Sequence, residues 1–109
     1  MVTKSYCPRV AYWATTLTPI ASTSLLTPDG VRTLKNNPNR VSEVNKEVEA
    51  IGVKVVAQYA TLGQYDFVTI VEAPDDRTMA KVSVELGSRG TMTSQTLAAM
   101  PTEDLAGAL

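Results

Sequence analysis

Residues 53–76 read VKVVAQYATLGQYDFVTIVEAPDD and carry the strongest structural signal in the chain. Two segments of this stretch, residues 53–61 and 65–73, are rich in β-branched and aromatic side chains, a composition that favours strands. Only Leu62-Gly63-Gln64 separates them. The pattern therefore predicts two antiparallel strands joined in a hairpin.

A two-residue turn at Leu62-Gly63 would set the register of this hairpin, with Ala57 opposite Val68 and Val55 opposite Ile70. A register fixes which side chains share a face of the sheet. The aliphatic face, which suits contact with helices, would consist of Val53, Val55, Ala57, Val68 and Ile70. The other, more mixed face would carry Lys54, Gln58, Tyr65, Phe67 and Thr69.

Downstream of the hairpin, Pro74-Asp75-Asp76 is typical of a helix start, with either aspartate as the N-cap. An apolar stripe with one small residue on the same face predicts this helix, and glycines close it at 87 and 90. The stripe consists of Met79, Val82, Ser83 and Leu86. Residues 91–100 predict a last strand, and residues 102–109 form a tail with room for one helical turn.

Upstream of the hairpin, residues 20–27 predict the first strand, which Pro28-Asp29-Gly30 ends. We expect Asp29 to cap a short helix that the Asn37-Pro38-Asn39 segment then interrupts. A longer helix follows, with Asn39 as its N-cap and Gly52 just past its end. Its apolar stripe consists of Val41, Val44, Val48 and Ile51.

The predicted order of elements is β-α-β-β-α-β, which is typical of α+β, ferredoxin-like domains. Such a domain has a four-stranded antiparallel sheet with two helices on one face. The other face stays open, and a wet apolar face of this size favours aggregation unless something covers it. We therefore expect residues 20–109 to form one domain whose open face pairs in an oligomer.

Residues 1–19 read MVTKSYCPRVAYWATTLTP and differ from the rest of the chain. Three threonines and Pro19 interrupt their apolar run, so the segment is a poor secretion signal and too polar for a membrane span. We expect a flexible or surface-draped arm, with Cys7 unreactive, and a cytoplasmic protein that does not bind membranes.

The amino-acid composition argues against several kinds of binding and catalytic site. The chain has 109 residues, a net charge of −1, no histidine and one cysteine. A near-neutral chain is a poor partner for nucleic acid, because phosphate binding needs a basic surface. Without histidine there is no Ser-His-Asp or Cys-His triad and no histidine-ligated metal. We expect no metal and no cofactor.

The best candidate site surrounds the segment Gly63-Gln64-Tyr65-Asp66. In one interpretation Tyr65 and Asp66 lie at the mouth of a cavity, with Asp66 as the candidate catalytic base. In the other, Gly63 makes the turn, Tyr65 packs and Asp66 stabilises the hairpin. The register places Tyr59 opposite Asp66, which predicts a phenol–carboxylate hydrogen bond. The candidate ligand-binding residues are Gln58, Tyr59, Tyr65, Asp66, Phe67 and Thr69.

Two weaker patterns have ordinary structural explanations. Asp75-Asp76 with Glu72 could hold a hard cation, but helix capping already accounts for the aspartates. The segment Gly87-Ser88-Arg89-Gly90 could contact an anion through its backbone and Arg89. A turn from helix to strand is the favoured interpretation of that segment, because glycine commonly ends helices.

The hairpin and the helix start after it resemble the GYD domain family, through Thr61-Leu62-Gly63-Gln64-Tyr65-Asp66 and the run from Ile70 to Asp76. The resemblance covers residues 20–104. One residue departs from the motif, since Gln64 separates Gly63 from Tyr65-Asp66. The resemblance implies a ferredoxin-like domain of the kind that pairs into dimeric α/β barrels. It implies no particular reaction.

Three functions remain open from the sequence. The preferred one is an oligomeric domain that binds a small molecule or acts as a scaffold, without catalysis. The second is a cofactor-independent monooxygenase or isomerase of a phenolic or enolisable substrate, with Asp66 as base and Tyr59 or Tyr65 orienting the substrate. The third is a subunit that docks on a larger enzyme through the arm around Tyr12-Trp13.

Overall fold

The computed structural model describes residues 17–109 as an α+β domain. Its elements in chain order are β1 (Thr18–Leu26), α1 (Pro28–Asn36), α2 (Arg40–Ile51), β2 (Lys54–Ala60), β3 (Phe67–Ala73), α3 (Asp76–Gly87), β4 (Met92–Ala98) and α4 (Thr102–Ala108). Of the predicted arm, residues 1–16 lie outside the described residues, Cys7 and Tyr12-Trp13 among them. Thr18 and Pro19 belong to β1.

The four strands form one antiparallel sheet in the order β2-β3-β1-β4. This topology is consistent with the predicted ferredoxin-like arrangement. Residues 17–109 contain four helices, two more than a β-α-β-β-α-β order counts. As the sequence predicts, the Asn37-Pro38-Asn39 segment separates α1 from α2, and the tail forms the short helix α4, whose residues are all exposed. A cavity lined by α1, α2, α3 and the sheet shows that these three helices lie on the same side.

The start of α1 corrects the predicted cap. Thr27, not Asp29, is the N-cap, and its hydroxyl accepts a hydrogen bond from the Gly30 backbone N–H at 3.2 Å. Pro28 follows at the first helical position, where a missing N–H is harmless. The same Thr27 hydroxyl donates to the Gly90 carbonyl at 2.8 Å. Thr27 therefore also ties α1 to the segment before β4, and Asp29 is left to pair with Arg32.

The ends of α2 and α3 agree largely with the sequence. Asp75 is the N-cap of α3 and accepts a hydrogen bond from the Thr78 N–H at 2.7 Å. Hydrogen bonds from Thr78 hold the pKa of Asp75 below its ordinary value. Gly52 ends α2 with a left-handed φ of 118°, which glycine adopts without strain. Asn39 lies at the N-cap of α2, but its side chain makes no capping hydrogen bond.

The predicted hairpin register is wrong by two residues at Ala57 and by one at Val55, which lies opposite Val71. Ala57 lies opposite Ile70, and Tyr59 lies opposite Val68. The connection is a loop over residues 61–66 rather than a two-residue turn, since the Thr61 hydroxyl donates to the Tyr65 carbonyl at 2.6 Å. A β-bulge between Val55 and Ala57 adds one residue to β2, so the faces of β2 change over at this point.

The predicted faces of β2 and β3 are also partly wrong, because of the register and the bulge. The helix side of β3 carries Phe67, Thr69 and Val71, whereas Val68 and Ile70 lie on the open side. Val53 and Val55 do face the helices as predicted, but Ala57 does not, because it follows the bulge. Gln58 moves to the helix side for the same reason.

The core is small and lies between the sheet and helices α2 and α3. Its buried apolar residues are Ile20, Val48, Val53, Val71, Ala73, Met79 and Val82. The stripe predicted for α3 is thus confirmed at Met79 and Val82, with Leu86 packed beside them. None of the helices in residues 17–109 is long and apolar enough to cross a membrane.

Candidate functional site

Two rows of side chains cross all four strands on the open face of the sheet, and they are apolar or aromatic except on β1 and β4 of one row. The register joins Tyr59, Val68, Thr23 and Gln95 in one row, and Ala57, Ile70, Ala21 and Leu97 in the next. Tyr59 is 65% exposed and Leu97 is 43% exposed. No helix of residues 17–109 packs on this face, so the face is available for contact.

Charge on this face is confined to one edge. Lys54 lies directly opposite Glu72 in the register, and Pro19 continues that row on β1. Opposite charges on facing positions attract each other, so the pair adds no net charge. The open face therefore combines an apolar row with polar neighbours and little net charge, a combination that is typical of protein-contact surfaces.

Tyr65 leans from the hairpin loop toward β4. Its hydroxyl donates to Gln95 Oε1 at 3.4 Å, a long hydrogen bond. Tyr65, Leu25 and Thr93 line a shallow depression on the open face together with Thr23. The hydroxyl oxygen of Thr23 is buried there and has no hydrogen-bond partner within the described part of the chain.

Asp66 serves the structure of the hairpin. Its carboxylate accepts a hydrogen bond from the Leu26 N–H at 2.8 Å, and its own N–H donates to the Ser24 carbonyl at 2.8 Å. The predicted hydrogen bond between Tyr59 and Asp66 is absent from residues 17–109, because the register places Tyr59 opposite Val68. The contacts favour the structural interpretation of Asp66.

On the other side of the sheet, a cavity of about 270 Å³ that is partly open to solvent lies beneath α1, α2 and α3. Three predicted site residues, Gln58, Phe67 and Thr69, line it. The six candidate residues therefore do not form one site. Tyr59 and Tyr65 lie on the open face, and Asp66 lies at the base of the hairpin loop.

A chain of side-chain hydrogen bonds runs along the cavity wall. Asn45 Nδ2 donates to Gln58 Oε1 at 2.7 Å, and Gln58 Nε2 donates to Thr69 Oγ1 at 3.2 Å. Ser22 and Ser24 line the cavity beside Thr69. We did not single out these two serines from the sequence. The alternation Ile20-x-Ser22-x-Ser24-x-Leu26, with apolar ends, was the available signal.

Arginines from two elements line the same cavity at its charged side. Arg89 Nη1 lies 2.6 Å from Glu47 Oε1, and Arg40 Nη1 lies 3.7 Å from Glu47 Oε2. Pairing with the Glu47 carboxylate, which accepts from the guanidinium, raises the pKa of Arg89. Arg89 belongs to the turn for which anion binding was considered, and here it is paired with glutamates of its own chain.

Comparison with known proteins places the chain in a family. The family model of the GYD domain matches residues 22–109. The chain belongs to the GYD domain family. The resemblance seen in the hairpin is thus confirmed.

This GYD protein is also similar to a named bacterial protein. It is 54% identical over 83 residues to the "Glutamine synthetase and cystathionine beta-lyase binding protein" of Thermus thermophilus. The match covers 75% of this chain and 87% of the relative. No solved structure matches the chain.

The remaining candidate of the GYD chain was an acidic metal site. Within residues 17–109 there is no group of three or more histidine, cysteine, aspartate or glutamate side chains that could hold a metal ion. Asp75 is the cap of α3 instead. Within the described residues, the open sheet face and the cavity beneath the helices are therefore the two features with room for a partner.

Proposed function

We propose that this GYD protein is a binding protein that docks on a metabolic enzyme through the open face of its sheet. The single observation that carries the proposal is the apolar row of Ala57, Ile70, Ala21 and Leu97 across all four strands, with Tyr59 and Val68 beside it, which no helix of residues 17–109 covers. Contiguous exposed apolar surface of this kind marks interaction sites.

The relative indicates what sort of partner to expect. Its printed name describes binding to glutamine synthetase and cystathionine beta-lyase. Identity of 54% over 83 residues supports a similar partner for this chain. We therefore take glutamine synthetase as the first partner to test and cystathionine beta-lyase as the second.

The chemistry of the face fits such a partner. Tyr59 and Leu97 offer large, exposed, apolar or amphipathic side chains, and aromatic residues are enriched where contacts between proteins are strongest. Gln95 and Tyr65 lie next to them and can hydrogen-bond at the rim. The expected surface on the enzyme is apolar in its centre and polar at its edge.

Self-association through the same face is the alternative occupant, and the sequence predicted it. Two copies would bury the same rows that a partner enzyme would bury. The two kinds of assembly therefore compete for one surface, and the mass of the assembly distinguishes them.

Catalysis by Asp66 has weaker support. Its carboxylate is held by the Leu26 N–H, and Tyr59 lies opposite Val68 rather than beside it. A base that is already engaged by the backbone is poorly placed to take a proton from a substrate. Docking through Tyr12-Trp13 concerns residues outside the described part of the chain.

Sedimentation velocity with purified proteins tests the proposal. The chain is run alone, with glutamine synthetase of the same organism, and with cystathionine beta-lyase of that organism. We expect the chain to co-sediment with at least one of the two enzymes. Failure to co-sediment with either enzyme would overturn the proposal, and a stable dimer that neither enzyme dissociates would favour self-association instead.

A further inference from the structure

The helix side of the sheet carries polar residues at its centre, where this fold favours apolar ones. The helix side of a sheet in a two-layer domain normally carries aliphatic residues that pack against the helices. Here the register places Ser22 beside Thr69, and Ser24 between Phe67 and Ser94. Hydroxyl groups therefore occupy the centre of the layer that should be the core.

Ser24 is the most informative residue of the cavity wall. The residue is only 6% exposed and lines the cavity. The hydroxyl can therefore donate a hydrogen bond to a molecule inside the cavity.

The hydroxyl of Thr69 is a second hydrogen-bond donor beside the cavity. The residue is 8% exposed, and its oxygen already accepts a hydrogen bond from Gln58 Nε2. Gln58 in turn is held by Asn45. Because the Thr69 oxygen is engaged as an acceptor, its own proton is free to be donated. Ser24 and Thr69 therefore present O–H donors to the interior of the cavity.

The rest of the wall is apolar. Around the serine and threonine hydroxyls, the cavity is lined by the apolar residues Val48, Val53, Val71, Met79 and Leu86. A volume of about 270 Å³ lies just below the range of roughly 300–1,000 Å³ usual for small-molecule sites.

The charges at the cavity favour an uncharged occupant. Arg40 and Arg89 line the cavity, but Glu47 bridges them. Glu43 also pairs with Arg40, and Glu85 also pairs with Arg89. Because three carboxylates surround two guanidinium groups, an added anion would find no unpaired positive charge here.

We infer that this cavity is a binding site for a small, uncharged, largely apolar molecule that carries a carbonyl-type hydrogen-bond acceptor. The apolar part packs against Val48, Val71 and Met79. The acceptor receives hydrogen bonds from the hydroxyls of Ser24 and Thr69. This inference does not rest on the proposed docking function, because the cavity and the open face lie on opposite sides of the sheet.

Acetophenone is a suitable probe, since it joins an apolar ring to one carbonyl oxygen. Its binding to the full-length chain is followed by NMR titration and compared with ethylbenzene, which has a similar shape without the acceptor, and with the benzoate anion. We expect saturable binding of acetophenone that shifts the resonances of Ser24 and Thr69, with weaker binding of both other probes.

Variants then test the role of the hydroxyl. Ser24→Ala should weaken acetophenone binding roughly three- to tenfold, the range for one hydrogen bond, and should leave ethylbenzene binding unchanged. Thr93→Val is the matched control, because it removes a hydroxyl from the opposite face of the same sheet, and it should change neither. If Ser24→Ala folds poorly, Thr69→Val serves the same purpose.

Three results would overturn the inference. The first is the absence of saturable acetophenone binding, which would mean that the cavity holds water only. The second is equal binding of acetophenone and ethylbenzene with no effect of Ser24→Ala. The third is tighter binding of benzoate than of acetophenone, since it would contradict the uncharged class.

Discussion

Asp66 and Leu26 are joined by a hydrogen bond between a carboxylate and a backbone N–H, with Asp66 Oδ2 lying 2.8 Å from Leu26 N. The two residues are separated by 40 positions in the sequence. The bond fixes the hairpin loop to the end of β1. Tyr65, the neighbour of Asp66, is held over the open face as a result.

Replacement of Asp66 should destabilise the domain. Asp66→Ala removes a charged acceptor and leaves the half-buried Leu26 N–H without its partner, so the free energy of unfolding should fall by about 1–3 kcal/mol. Asp66→Asn keeps a neutral acceptor oxygen and should cost less than the alanine variant. Urea denaturation measures both, with exposed Asp29→Ala as the control. Unchanged stability of Asp66→Ala would contradict the structural role.

Two glycines should respond in opposite directions to alanine. A Cβ at Gly30 would collide with the carbonyl oxygen of Thr91, which is backbone and cannot move aside easily. Gly30→Ala should therefore lower the free energy of unfolding by about 1–3 kcal/mol, despite the better helix propensity of alanine. Gly87→Ala meets nothing within 4 Å and should raise stability by about 0.5–1 kcal/mol. Urea midpoints of the two variants test the pair, and a stabilising Gly30→Ala would contradict the close approach.

Asp75 should make the free energy of unfolding of the domain depend on pH. Hydrogen bonds from Thr78 lower the pKa of Asp75 in the folded state, so this stabilisation is present above the unfolded-state pKa. It is lost as pH falls through the folded-state pKa. Asp75→Asn still caps the helix but does not titrate. The stability advantage of the wild type over Asp75→Asn should thus shrink between about pH 6 and about pH 2.

Chemical denaturation across that pH range measures the difference. Asp75→Ser is the matched control, because serine is also a good, uncharged cap. The two neutral variants should show the same pH dependence. A wild-type advantage that stays constant down to acid pH would show that Asp75 is not stabilised in the way described.

The order of elements could be predicted from sequence because it depends on local signals. The periodicity of α3 and the Pro74-Asp75 start required no knowledge of distant contacts. The division between α1 and α2 followed from Asn37-Pro38-Asn39. The cap of α1 was misassigned because Thr27 and Asp29 are both good capping residues and lie two positions apart.

The faces of the hairpin could not be predicted because β3 is apolar on both sides. Val68 and Ile70 alternate with Phe67, Thr69 and Val71, so hydrophobic pattern alone does not choose the buried face. The register then depended on an assumed two-residue turn, and the bulge at residue 56 has no sequence signature that marks it. The register and the bulge both depend on contacts between strands, which the local sequence does not specify.

The cavity was missed for a related reason. Serine in a strand is ordinarily taken as a sign of the solvent side, and Ser22 and Ser24 alternate with Ala21 and Thr23, which are no more polar. Only the register with β3 shows that the serines face the helices. Three of the predicted ligand-binding residues, Gln58, Phe67 and Thr69, nevertheless lie in the cavity wall.

The central claim is that the open face of the sheet binds a partner enzyme, and paired charge substitutions test it most directly. Leu97→Glu places a charge in the apolar row, whereas Val84→Glu places the same charge on the outer side of α3, where Val84 is 72% exposed. Calorimetric titration of glutamine synthetase from the same organism compares both variants with the wild type. A parallel titration of cystathionine beta-lyase covers the second partner.

The account predicts that the wild type binds at least one of these enzymes, that Leu97→Glu weakens that binding by about tenfold or more, and that Val84→Glu leaves it unchanged. Wild-type affinity in Leu97→Glu, or equal losses in the two variants, would contradict the assignment of the open face as the binding surface.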